Sequence, residues 1–168
     1  MILVDATPLY DLGQVGELEL LDTFEGNLVI PEAVRDEITV EPAATNLARY
    51  VEERDVKTAV NGDDHEEEAL ALLDAEAVTS DVVLVAELLA ARDSEAEVAL
   101  LSDDSRLRAI ADGLGATVTG TFGVVVRATK DDKYFPTSHA KRVIRRTDHH
   151  GVQMTGMLRE RAIGEVDD

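Results

Sequence analysis

Acidic side chains that directly follow apolar segments are the residues of this sequence best suited to chemistry. Asp5 follows Ile2-Leu3-Val4, and the triplet Ser102-Asp103-Asp104 follows Val98-Ala99-Leu100-Leu101. Short apolar runs of this kind predict buried parallel strands. Ligands of open α/β sheets bind beyond the carboxyl ends of the strands, so these carboxylates are expected to converge if the two strands are neighbours.

Two further acids lie where they could join this group. Glu37 is on the helix predicted after a second apolar strand, and Asp81 begins the helix predicted ahead of the Val98 strand. Carboxylates held a few ångströms apart repel one another unless a hard cation neutralises them, and oxygen ligands suit Mg²⁺ or Mn²⁺. Such an ion lowers the pKa of bound water and offsets charge on a phosphoryl oxygen. Phosphodiester hydrolysis is therefore the expected reaction.

Each of these acids also has an ordinary structural interpretation. Asp5 could end a strand in a turn, Asp81 and Asp104 could cap helices, and Glu37 could be a solvated helix residue. No single position distinguishes the two interpretations. The functional hypothesis therefore depends on the order and spacing of the acids.

The elements that must position these acids alternate between strands and helices. Alternation of this kind predicts an α/β fold with a mainly parallel sheet and helices on both faces. Strands are predicted at 2–4, 28–30, 98–101 and 116–118, with a further candidate at 56–60. Helices are predicted at 9–21 with breaks at Gly13 and Gly16, 31–38, 43–54, 66–75, from 79 towards 89, 105–113, 122–128, 138–146 and 155–163.

Length and composition restrict the class of protein. A chain of 168 residues with 45% hydrophobic residues is expected to form one domain. No apolar run approaches the roughly 18 residues of a membrane span, and the first residues lack a signal peptide pattern, so a soluble, cytoplasmic protein is expected. The absence of cysteine excludes disulfides, thiolate zinc sites and iron–sulfur clusters.

The net charge of −19 is spread along the chain, and four lysines accompany twelve arginines. This composition is similar to that of haloarchaeal proteins, which stay soluble in concentrated salt. An acidic protein that binds RNA needs a local basic patch or screening by salt. Candidates for phosphate contacts are Arg106, Arg108, Lys141, Arg142, Arg145 and Arg146. The last four could instead form a solvated helix face or a dimer contact, and the first two could brace the carboxylates.

The acidic motifs resemble those of PIN domains, in order. Residues 2–9 resemble the opening motif, an apolar strand followed by Asp5 and by Thr7 as a supporting hydroxyl. Residues 29–38 are similar to the second motif, in which a helix presents Glu37, and Asp81 matches the third acidic position. Residues 115–124 and 152–160 look like the C-terminal half of VapC-like toxin relatives.

The segment 101–104 resembles the fourth PIN motif. Asp104 is the formal match and Ser102 the hydroxyl expected to orient it, while Asp103 is a second candidate because some PIN nucleases carry adjacent aspartates. The resemblance implies that Asp5, Glu37, Asp81 and Asp104 are catalytic and that Asp5, Asp81, Asp103 and Asp104 bind the metal.

The resemblance also implies a three-layer α/β/α fold and a Mg²⁺- or Mn²⁺-dependent endoribonuclease. The expected products carry a 5′-phosphate and a 3′-hydroxyl. Residues 1–128 would form the nuclease core and 129–168 a helical extension of the same domain. A homodimer and a protein antitoxin are the expected partners besides RNA. Two alternatives remain open: a non-catalytic PIN-fold module that binds RNA or acts as a scaffold, and a structure-specific DNA nuclease.

Overall fold

A computed structural model of the protein describes residues 1–130, 136–150 and 164, and for residues 148–150 only the backbone. Four parallel strands form the sheet in the order β2-β1-β3-β4. They are β1 (Ile2–Val4), β2 (Leu28–Val29), β3 (Ala99–Leu101) and β4 (Thr117–Thr119). Because β1 lies between β2 and β3, its carboxyl end is adjacent to that of β3, as the expected convergence of the acids requires.

Helices flank this sheet and confirm the predicted α/β fold. The helices are α1 (Ala6–Val15), α2 (Glu32–Asp36), α3 (Ala43–Glu53), α4 (Glu66–Leu73), α5 (Ser80–Asp93), α6 (Ser105–Gly113), α7 (Thr121–Lys130) and α8 (Thr137–His150). Short 3-10 turns occupy Leu18–Thr23 and Asp63–His65. Within the described part of the chain, no helix is both long and apolar enough to cross a membrane.

One continuous core joins the sheet to the helices. Leu3, Leu100 and Leu101 are completely buried in the strands, and Leu9 and Leu88 are buried in α1 and α5. Full burial of such side chains contributes roughly 1.5–3 kcal/mol each relative to exposure. Strands covered on both faces explain why their sequences are uninterrupted apolar runs rather than alternating ones.

Several predicted boundaries differ from the structure. The segment 56–60 forms only an isolated bridge between Lys57 and Val29, because backbone pairing with β2 extends no further than Lys57. Helix α2 ends at Asp36, and Glu37 is its C-cap. The first helix ends at Gly16, whose φ of 75° favours glycine. The helix predicted at 155–163 lies outside the described residues.

Helix α8 packs on α1 and α7 with one apolar face. Ala140, Val143 and Ile144 are buried, whereas Arg145 and Arg146 on the other side are exposed. This arrangement agrees with an amphipathic helix and leaves a basic face directed to solvent.

Candidate active site

Asp5 is fixed by hydrogen bonds at the carboxyl end of β1. It is the N-cap of α1, and one carboxylate oxygen accepts from the Ala6 amide at 2.6 Å. The other accepts from the Ser102 hydroxyl, also at 2.6 Å. The residue is only 6% exposed. Burial raises the pKa of Asp5; the two hydrogen bonds oppose the increase, and the charges of Asp81 and Glu37 add to it.

Ser102 connects the two strand ends rather than orienting the carboxylate of Asp104. Its hydroxyl donates to Asp5 and accepts from the backbone amide of Asp104 at 3.1 Å. Ser102 has no exposed surface, and its own amide donates to Thr119 in β4. This hydroxyl therefore contacts Asp5 through its side chain in addition to the backbone of Asp104. Thr7, the other predicted supporting hydroxyl, lies exposed in the first turn of α1.

Glu37 and Asp81 approach the site from α2 and α5. The Ser80 hydroxyl donates to a carboxylate oxygen of Glu37 and so joins the end of α2 to the start of α5. Ser80 is 8% exposed. Partial desolvation raises the pKa of Asp81, followed by the charges of Asp104 and Glu37, while Arg106 opposes the increase. Asp81 and Glu37 therefore act on Asp5, and Asp104 and Glu37 act on Asp81, so the four predicted catalytic acids form one connected electrostatic group.

The adjacent aspartates after β3 point to different helices. Asp104 is the N-cap of α6 and accepts from the Leu107 amide at 2.7 Å. Asp103 instead accepts from the amide and hydroxyl of Thr121 at the start of α7. A Cβ atom on Gly120 would lie 2.3 Å from an oxygen of Asp103, so any larger residue there would force the Asp103 carboxylate to shift. Asp104 therefore interacts electrostatically with Asp81, whereas Asp103 is held by the start of α7.

Asp11 is a buried acid that the sequence motifs did not identify. It lies on α1, is 1% exposed, and one of its carboxylate oxygens is buried without a hydrogen-bond partner in the described structure. Burial raises the pKa of Asp11 to about 7, and the charge of Asp103 adds to the increase. The sequence did contain a signal for the burial of Asp11, because helical spacing places it on the same helix face as the buried residues Pro8 and Val15.

The predicted RNA-binding residues occupy two regions. Arg106 donates to the Leu73 carbonyl at the end of α4 and lies near Asp81. Arg108 donates to the Ser102 carbonyl at 3.4 Å. The remaining candidates, Lys141, Arg142, Arg145 and Arg146, lie on α8. On that helix Arg142 contacts His139, whose ring contacts Glu17 at 2.7 Å.

Comparison with known proteins identifies the family. The model of the family DUF3368, described as a PIN domain, matches residues 1–168. The chain belongs to the PIN domain family. Members of this family are generally nucleases that act on RNA and typically use divalent metal ions. Neither the curated proteins nor the solved structures contain a match to the chain.

The acidic side chains of this PIN domain are chemically suited to bind a divalent cation. The acids are oxygen ligands. Burial, and after it the charges of neighbouring acids, raises the pKa of Asp5 and Asp81, and a bound cation would offset both effects. Among the described residues, however, no three acidic or histidine side chains are arranged to hold one metal ion. The carboxylates are thus close enough to interact but are not in a ligating arrangement.

Proposed function

We propose that the protein is a metal-dependent endoribonuclease that hydrolyses RNA phosphodiester bonds with Mg²⁺ or Mn²⁺. The observation that supports this proposal is that Asp81 and Glu37 interact electrostatically with Asp5, and Asp104 with Asp81, at the carboxyl ends of β1 and β3. Asp5, Asp81, Asp103 and Asp104 are the proposed ligands, and Glu37 completes the catalytic group. A bound divalent ion would activate water and offset phosphoryl charge.

The chain's own residues would hold the ligands in place. Ser102 and the Ala6 amide stabilise Asp5 in its charged form, as ligation requires. Ser80 fixes the position of Glu37, while Arg106 reduces the repulsion around Asp81. Hydrogen-bond partners behind the ligands orient them and contribute substantially to metal affinity.

RNA would be held through its phosphates. Arg106 and Arg108 flank the acidic group, and the exposed face of α8 offers Arg142, Arg145 and Arg146 together with the half-buried Lys141. Local positive charge is needed because a net charge of −19 repels a polyanion. Binding that depends on these contacts should weaken as salt rises.

The functional test is cleavage of a broad RNA pool by purified protein with Mn²⁺ in concentrated salt. Wild type should cleave internally, and Asp5→Asn should lose activity and metal binding. Asp112→Asn is the matched control because it removes an exposed acid on α6. The proposal fails if wild type and Asp5→Asn are equally inert and calorimetry detects no Mn²⁺ binding. DNA substrates in parallel test the structure-specific DNA nuclease.

A second candidate function is a non-catalytic PIN module that binds RNA or acts as a scaffold. The observation that favours it is the absence, among the described residues, of three acids arranged to hold one ion. RNA binding without cleavage, unchanged by Asp5→Asn, would support this second candidate over the nuclease.

Three finer proposals rest on the PIN family and the composition. The first is a VapC-like toxin with a protein antitoxin, tested by growth arrest on expression and its relief by a neighbouring small reading frame. The second is a homodimer in the cytoplasm of a halophile, tested by light scattering across salt concentrations. The third is a division into a core at 1–128 and a C-terminal helical extension at 129–168, tested by truncation. The packing of α8 on α1 supports treating the extension as part of the same domain.

A further inference from the structure

A cavity of about 390 Å³ lies between the sheet and α7. Its floor includes Ile2, Ala99 and Thr117, which are the first residues of β1, β3 and β4 and are register partners in the sheet. Asp5 and Asp104, by contrast, lie beyond the opposite, carboxyl ends of β1 and β3. The cavity is therefore distinct from the proposed catalytic group.

Two hydroxyls and one guanidinium border this cavity. Gly123 and Arg127 lie four residues apart on one face of α7, so both line the cavity across from the strands. A Cβ atom at Gly123 would overlap Oγ1 of Thr119, which shows that the Thr119 hydroxyl faces α7. Thr117, two residues earlier in β4, lies on the same face of the strand and also lines the cavity.

The guanidinium of Arg127 has a defined position because it stacks on an aromatic ring. Its Cζ atom lies 5.0 Å from the centroid of the Phe24 ring. Phe24 and the exposed Glu25 directly follow the 3-10 turn at Leu18–Thr23, and both line the cavity. A stacked guanidinium still presents N–H donors in its plane, the geometry that binds carboxylate or phosphate oxygens.

We propose that this cavity binds a small aromatic anion of the nucleoside monophosphate class. A ligand with an anionic end, a flat apolar body and hydroxyl donors matches the three kinds of group that line it. Arg127 and the two threonine hydroxyls would bind the phosphate, Ile2 and Phe24 would contact the base, and Glu25 would accept hydrogen bonds from the ribose. The volume is within the range of small-molecule sites, about 300–1,000 Å³. A local cation is needed because a net charge of −19 repels anions.

Isothermal titration calorimetry with adenosine monophosphate (AMP), in the presence of a chelator, tests the proposal. Wild type should bind one AMP per chain, and adenosine and ribose 5-phosphate should each bind at least about 10-fold more weakly, because each lacks one part of the ligand. Arg127→Met removes the charge and Ala99→Leu fills the floor of the cavity, so each should also lower AMP affinity at least about 10-fold. Lys130→Met removes an exposed charge from the same helix and should bind AMP as wild type does.

The proposal is overturned if wild type does not bind AMP, or if either fragment binds as tightly as AMP. It is also overturned if Arg127→Met or Ala99→Leu, with the melting temperature of wild type, binds AMP unchanged. The comparison of AMP with its fragments uses wild type alone and does not depend on the folding of a variant.

Asp5→Asn separates this proposal from the nuclease proposal and should bind AMP as wild type does. Loss of AMP binding in Asp5→Asn would place the nucleotide at the catalytic group and overturn the separate site. Failure of the nuclease proposal has a different result, because RNA would then remain intact while AMP binding is unchanged.

Discussion

Replacing Asp11 with Asn should stabilise the metal-free protein, and the gain should increase with pH. Burial raises the pKa of Asp11 from its ordinary 3.8 to about 7. Between these values the unfolded chain loses the proton while the folded chain keeps it, so the stability of the folded protein falls as pH rises. Above the folded pKa the loss is complete and stays constant. Asn carries no charge and has no such loss.

The magnitude follows from the size of the shift. Each pKa unit corresponds to about 1.4 kcal/mol, so the full penalty in wild type is on the order of 4 kcal/mol above neutral pH. The advantage of Asp11→Asn should grow by about 2 kcal/mol between about pH 5.5 and pH 8. For a chain of this length, the full effect corresponds to roughly 10 °C in melting temperature.

Urea unfolding across this pH range, with chelator present and choline chloride as the salt, measures the effect without small cations. Asp112→Asn is the matched control, because it removes an exposed acid on α6. The reasoning is refuted if Asp11→Asn is no more stable than wild type at about pH 8, or if its advantage shrinks as pH rises.

Two further substitutions test the contacts around the site. Ser102→Ala removes the 2.6 Å hydrogen bond to Asp5, so calorimetry should show a Mn²⁺ affinity about 10–100-fold lower than that of wild type. Loss of this bond also raises the pKa of Asp5, so the pH below which Mn²⁺ binding is lost should increase. Ser105→Ala, at an exposed position, should leave both unchanged. Gly120→Ala places a Cβ atom 2.3 Å from an oxygen of Asp103 and should lower the free energy of unfolding by about 1–3 kcal/mol, measured by urea denaturation. Unchanged stability would show that the Asp103 carboxylate shifts away from the added Cβ atom at no cost.

The sequence allowed prediction of the parallel sheet and the approximate place of its acids because both depend on local patterns. Apolar runs ending in Asp5 and in Ser102 mark strand ends, and parallel neighbours bring such ends together. The strand predicted at 56–60 was too long, because apolar composition does not show where backbone pairing with an edge strand stops. Helix α2 was likewise predicted too long at its C-terminus.

Contacts between distant elements could not be predicted. Ser80 and Glu37 are 43 residues apart, and nothing in either segment indicates their hydrogen bond. The divergence of Asp103 and Asp104 depends on where α6 and α7 begin relative to β3. The hydrogen bond from Ser102 to Asp5 was not predicted for the same reason, since Asp5 lies on a neighbouring strand.

The central position of β1 affects the order in which the protein can assemble during synthesis. Asp5 is made before its partner Ser102, which follows 97 residues later. Parallel pairing across such a separation requires closure of a long loop and slows folding. A nascent chain still attached to its message therefore carries the separate acids of this site without their assembled arrangement.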